Sequence, residues 1–163
     1  MFEEVLGIPA HPLLVHAAVV FVPLQVLFAI AYAFLPRLRP KITWTVVALT
    51  VIGPIAAWFA KLSGQAFRAR LVENGLTDAT FLGKIDAHQD FGDATAWATL
   101  VLSALTIILM LVQRRATGDA AYTGGNAIVG WILKILLLGI ALATGYYVFR
   151  TGDSGAHIVW EGQ

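Results

Sequence analysis

Four long apolar runs, separated by polar segments, organise this chain. They cover residues 12–35, 42–60, 94–112 and 127–149, and each reaches or approaches the roughly 20 helical residues that cross a bilayer. The third run, ATAWATLVLSALTIILMLV, has no polar stripe to turn toward water, which argues against a soluble bundle of buried helices. The pattern predicts an all-α membrane protein: one domain over residues 1–163, a four-helix bundle running up-down-up-down.

The polar flanks refine the elements. KLSGQAFRARLV continues the helical pattern of the second span to about residue 72, and ENGL reads as a turn. Asp78 is placed to cap a helix opening at Ala79. Phe81, Ile85, His88 and Gly92 then share one face, which directs His88 toward the bundle. Helices 2 and 3 are therefore expected to rise beyond the outer membrane surface. Pro23 and the Gly53-Pro54 pair interrupt the first two spans. Proline removes a backbone hydrogen bond and bends a helix, either beside a cofactor or as membrane helices commonly tolerate.

Composition narrows the chemistry. Only 13% of residues are charged, against about 25% in soluble domains. The net charge is +1 and no basic run is present, so nothing points to nucleic acid. There are no cysteines, which excludes disulfides, thiolate zinc sites, Cys-ligated clusters and covalent CxxCH haem attachment. Any cofactor must be held by histidine, carboxylate or backbone. The opening MFEEVLGIPAHP is acidic and has no cleavage site, so the first span reads as a retained anchor.

Charge also predicts orientation. The short loops PRLRPK and QRRATGDAAYTGGN carry arginine and lysine, six positive residues with Lys134 against five on the opposite side. The positive-inside rule places these loops in the cytoplasm and both termini outside. His11, His16, His88 and His157 all then fall on the outer side, with nine of the ten acids; Asp119 alone lies inside. Counting helical rise puts His16 near the boundary of the first span, with His11 about 7–8 Å higher and His88 at a similar height. His11 and His16, five residues apart, differ by about 140° around a helix. His157 is expected to fold back over the same surface.

HPLLVH before the first span, His88 before the third, and TGDSGAHIVW after the fourth resemble a bacterial four-helix integral-membrane family of unknown function. Its members open with HPxxVH and close with a TGxxGxxLVY-like motif. Here Trp160 stands where tyrosine is usual and Asp153 where many members have histidine; His157 lies outside the pattern. The resemblance covers nearly the whole chain and carries over His11, His16 and His88. Relatives fused to Rieske-type and cytochrome c-type domains imply service in membrane electron transfer, in the inner (cytoplasmic) membrane.

Two chemistries follow. The first is a b-type cytochrome, with haem b between His16 and His88 as the preferred axial pair, since bundles hold cofactors between facing helices. Arg68, Arg70 and Arg150 would meet the propionates, and Trp58, Phe91 and Trp97 would wall the site. Quinone or a periplasmic or extracellular redox protein would be the partner. The second is a non-haem Zn, Cu or Fe site built from His11, His88 and His157 with Asp90 or Asp93. A structural accessory subunit, its histidines bonding backbone, is the third reading. Small-residue spacings at Gly139–Ala143 and Ala141–Gly145 allow packing within the bundle or a homo-oligomer. GDSGA resembles a protease nucleophile sequence without a supporting triad; no P-loop or dinucleotide fingerprint is present.

Overall fold

The computed structural model describes residues 4–5, 8–116 and 124–160. Glu3, Asp119 and Glu161 lie outside the described residues. A two-residue antiparallel pairing of Glu4–Val5 with Ile8–Pro9 precedes four helices: α1 (Ala10–Phe34), α2 (Arg39–Glu73), α3 (Ala79–Ala116) and α4 (Gly124–Trp160). All four are long and apolar enough to cross a membrane. The sequence places the start of the first helix two residues late, and α4 runs well past the expected end of its span.

Local chemistry sets the ends. Arg39 donates to the carbonyls of Tyr32 (2.8 Å) and Ala33 (3.0 Å), satisfying two acceptors that the last turn of α1 leaves open. Gly75, at φ 94°, makes the turn after α2, a left-handed conformation that costs glycine little. Asp78 caps α3 as expected, accepting from the backbone N–H of Thr80 (2.8 Å) and Phe81 (3.2 Å).

Neighbouring helices run antiparallel. His11, Gln25 and Tyr32 of α1 meet Ser63, Gly53 and Arg39 of α2 in that order. Lys61 pairs with Asp93 at 3.0 Å, and Trp58 meets Trp97 edge to face, between α2 and α3. Thr95 and Thr151 join α3 to α4 at 3.0 Å. The bundle is closed by α4 against α1, which leaves α1 and α3 diagonal to each other.

Small and weakly polar residues fill the interior. Ala29, Ala33 and Ala141 are buried beside Leu102, Leu109 and Leu137, and Ala96 beside Val22 and Ala57; Thr99, Ser103, Thr106 and Thr144 are buried as well. Lipid tails are as apolar as leucine, so association within the bilayer rests on close packing and interhelical hydrogen bonds. Most of the buried hydroxyls donate to a carbonyl of their own helix, as Thr99 and Thr106 do. Gln25 bridges instead. Its Nε2 donates across the diagonal to Ser103 Oγ (2.7 Å) and the Thr99 carbonyl (3.2 Å). Its Oε1 lies against Gly53, where a Cβ would stand 2.0 Å away.

Candidate functional site: a buried histidine pair

At one end of the bundle the diagonal is bridged again, by His11 of α1 and His88 of α3. Their ring centroids are 6.3 Å apart and their planes cross at 75°. Both rings are partly buried. Both lie outside the apolar runs 12–35 and 94–112, at the similar heights that helical rise predicts.

His11 sits in the first turn of α1 and docks on α2. Its Nδ1 contacts the Ala60 carbonyl and Ser63 Oγ, each at 3.1 Å, while Ser63 Oγ donates to the same carbonyl at 2.8 Å. A carbonyl only accepts, so Nδ1 carries the proton and Nε2 keeps its lone pair. Phe67 stacks on the ring with centroids 6.2 Å apart. His88 docks on α4. Its Nδ1 contacts Ser154 Oγ at 3.0 Å, and Ser154 Oγ gives its one proton to the Thr151 carbonyl at 3.2 Å, so Nδ1 is the donor. Here too Nε2 is left with the lone pair. Gly64 and Gly155 each face an imidazole so closely that a Cβ would stand 3.0 Å and 2.9 Å from Cε1.

Electrostatics agree with two neutral rings. Burial pushes the His11 imidazole below its ordinary value, with the neighbouring His88 a second cause. Burial likewise lowers His88, against the opposing hydrogen bond to the Thr151 carbonyl.

The other expected site residues are dispersed. His16 is exposed and its Nδ1 donates to the carbonyl of Pro12, one turn back on its own helix. It does not face the bundle, because the 140° that separates it from His11 turns it outward once His11 is docked. His157 does not fold back either. α4 stays helical to Trp160, and the exposed His157 donates from Nδ1 to the Asp153 carbonyl at 2.9 Å. Arg68 forms a two-pronged bond to Asp86 on the exposed side of the α2–α3 hairpin, and Arg70 is half-buried on α2. Arg150 lies one turn before Ser154. Its guanidinium covers the Phe91 ring at 4.8 Å, and its buried Nε has no hydrogen-bond partner among the described residues. Trp58 and Trp97 meet each other, Trp97 largely exposed.

Among the described residues no three His, Asp or Glu side chains group as ligands for one ion, so the set with His157 and Asp90 or Asp93 is not assembled. Ser154 does meet a histidine, as GDSGA invites one to ask. There the imidazole nitrogen is the donor, so it cannot take the serine proton as a nucleophile's base must.

Sequence reasoning missed Ser63 and Ser154. The chain contains only three serines, and two of them are followed by glycine. That repeated Ser-Gly is the signal that marks both docking turns.

The fold and its apolar helices define a multi-pass membrane protein of four spans. Residues 7–163 match the family described as Predicted membrane protein (DUF2231). The chain belongs to that family. No curated protein and no solved structure matches it.

Proposed function

We propose that this protein is a small b-type-cytochrome-like electron-transfer protein in which His11 and His88 would hold the haem iron. The observation that carries the reading is the imidazole pair on diagonal helices. Two metal–nitrogen bonds of about 2 Å, plus the inner halves of two rings, span about 6 Å, close to the 6.3 Å between these centroids. Both rings offer Nε2 while Nδ1–H is donated into the docking turn, the arrangement metal-bound histidines favour. Gly64 and Gly155 keep side-chain bulk off the rings from α2 and α4, the helices that flank the diagonal. The unpartnered Nε of Arg150 supplies a donor suited to a propionate.

Haem would supply a one-electron couple, its potential tuned by the axial ligands and by burial. The chain's own residues fix the tautomer of each ring and hold both rings neutral. The orientation that best fits the loop charges puts this end on the outer side of the cytoplasmic membrane, within reach of a quinol or an external redox protein.

The purified protein tests the reading by its reduced-minus-oxidised spectrum. A Soret difference band lost in His11→Ala and His88→Ala but kept in His16→Ala is expected. A colourless protein carrying stoichiometric Zn, Cu or Fe would replace haem with a bare ion, and a protein with neither would leave a structural role.

A further inference from the structure

The two histidines are held in the same way, by a Ser-Gly turn of the neighbouring helix. In residues 60–64, AKLSG, the first carbonyl and the serine hydroxyl take His11 Nδ1, and the glycine faces the ring. In residues 151–155, TGDSG, the serine hydroxyl takes His88 Nδ1, the backbone of the first residue also bonds the ring, and the glycine faces it. In each turn the serine bonds back to that same carbonyl. A Cβ on Gly64 would meet Cε1, Nδ1 and Nε2 of His11 at 3.0, 3.3 and 3.6 Å; on Gly155 it would meet those atoms of His88 at 2.9, 3.4 and 3.7 Å. Six distances agree pairwise within 0.1 Å. In each case the histidine belongs to the first helix of a hairpin and the Ser-Gly to the second.

We infer that α1–α2 and α3–α4 are two copies of one histidine-docking unit, related by a pseudo-two-fold axis along the bundle. Ser63–Gly64 and Ser154–Gly155 are its positioning residues. They present two equivalent Nε2 lone pairs to one ligand atom on that axis. Internal repeats related by an axis along the membrane normal are a recurrent membrane architecture with the binding site at the repeat interface. Symmetry adds a demand that neither histidine makes alone: the ligand would have to accept two equivalent imidazole nitrogens, as a haem iron can. The nature of that ligand rests on the function proposed above; the equivalence of the two units does not.

The test therefore has two readouts. Nitrogen-15 NMR of histidine-labelled protein in detergent micelles reports the tautomers without any ligand. Both His11 and His88 are expected as the Nδ1–H form with similar shifts. Ser63→Ala is expected to move His11 and Ser154→Ala to move His88 by comparable amounts. An Nε2–H form at either ring, or a serine change that leaves its histidine unmoved, overturns the inference even if haem binds. Titration with ferric protoporphyrin IX gives the second readout. Each serine variant is expected to weaken binding by a similar factor, about 10–100-fold, typical of residues that orient a ligating histidine. A tenfold disparity between the two variants also overturns it. Wild-type protein that shows both Nδ1–H tautomers yet takes up no haem sinks the haem reading and leaves the paired units standing.

Discussion

The two diagonal helices reach each other through polar groups at two heights, about 21 Å apart along α1, and the two bridges are opposites. At Gln25 the contact is direct: both amide protons have partners across the bundle, and the oxygen is pressed against a glycine that leaves no space. At His11 and His88 the groups face each other across 6.3 Å with every proton accounted for by the flanking helices. One bridge uses up its donors to tie helices together. The other is supported from behind and keeps two lone pairs unused. Gln25 keeps only a buried oxygen without a partner among the described residues, enclosed against Gly53, whereas the histidines keep theirs at the open end of the bundle.

The largest effect should come from closing the first bridge. Gly53→Ala would put a methyl 2.0 Å from Gln25 Oε1 and 2.9 Å from Cδ, and overpacking of this kind costs about 1–3 kcal/mol or more. Thermal unfolding in detergent should show the loss, and adding Gln25→Ala should recover part of it, since sites in contact are not additive. Wild-type stability in Gly53→Ala would mean that the bridge has slack and the contrast fails.

The second bridge should behave in the opposite way. His11→Ala or His88→Ala should abolish the cofactor band while shifting unfolding only by the loss of one side-chain hydrogen-bond set, about 1 kcal/mol. Circular dichroism alongside the spectrum separates a lost ligand from a lost fold.

Acidification should sharpen the contrast further. Both histidines are lowered below their ordinary 6.5, so below that value the unfolded chain binds protons that the folded chain refuses. Stability should therefore hold above about pH 6.5 and fall as the pH drops toward the lowered folded values. Replacing both histidines should flatten this slope, and Gln25→Leu should leave it unchanged. The smallest effect is expected at Arg68→Ala, because an exposed ion pair contributes about 0–1 kcal/mol; a large loss there would shift attention from the bundle interior to the hairpin.

Much of this was legible in the sequence. The apolar runs gave the four helices, Asp78 and ENGL gave the cap and turn, and i, i+3, i+4 spacing turned His88 inward. Helical rise even set His11 and His88 at one height. His16 is expected to face the bundle, but helical phase is fixed by which residue docks, and the docking of His11 turns His16 outward. His157 does not fold back because α4 continues through Gly152 and Gly155 to Trp160. The docking serines carry only the repeated Ser-Gly as a local signal, since their partners lie 52 and 66 residues away. Such contacts are set by helix packing, which a single sequence does not display.

The surplus length of the helices has a consequence for the site. At 1.5 Å per residue, the 35 residues of α2 and the 38 of α3 extend some 20 Å past a hydrocarbon layer about 30 Å thick. α2 continues ten residues beyond Ser63, and α3 begins nine residues before His88. A site strung between helix ends at the lipid boundary would deform whenever the membrane thinned or thickened. Here the histidines are clamped within scaffolding that runs on into water, so the bundle can tilt or ride up and down to match its bilayer while the spacing between the two rings stays constant.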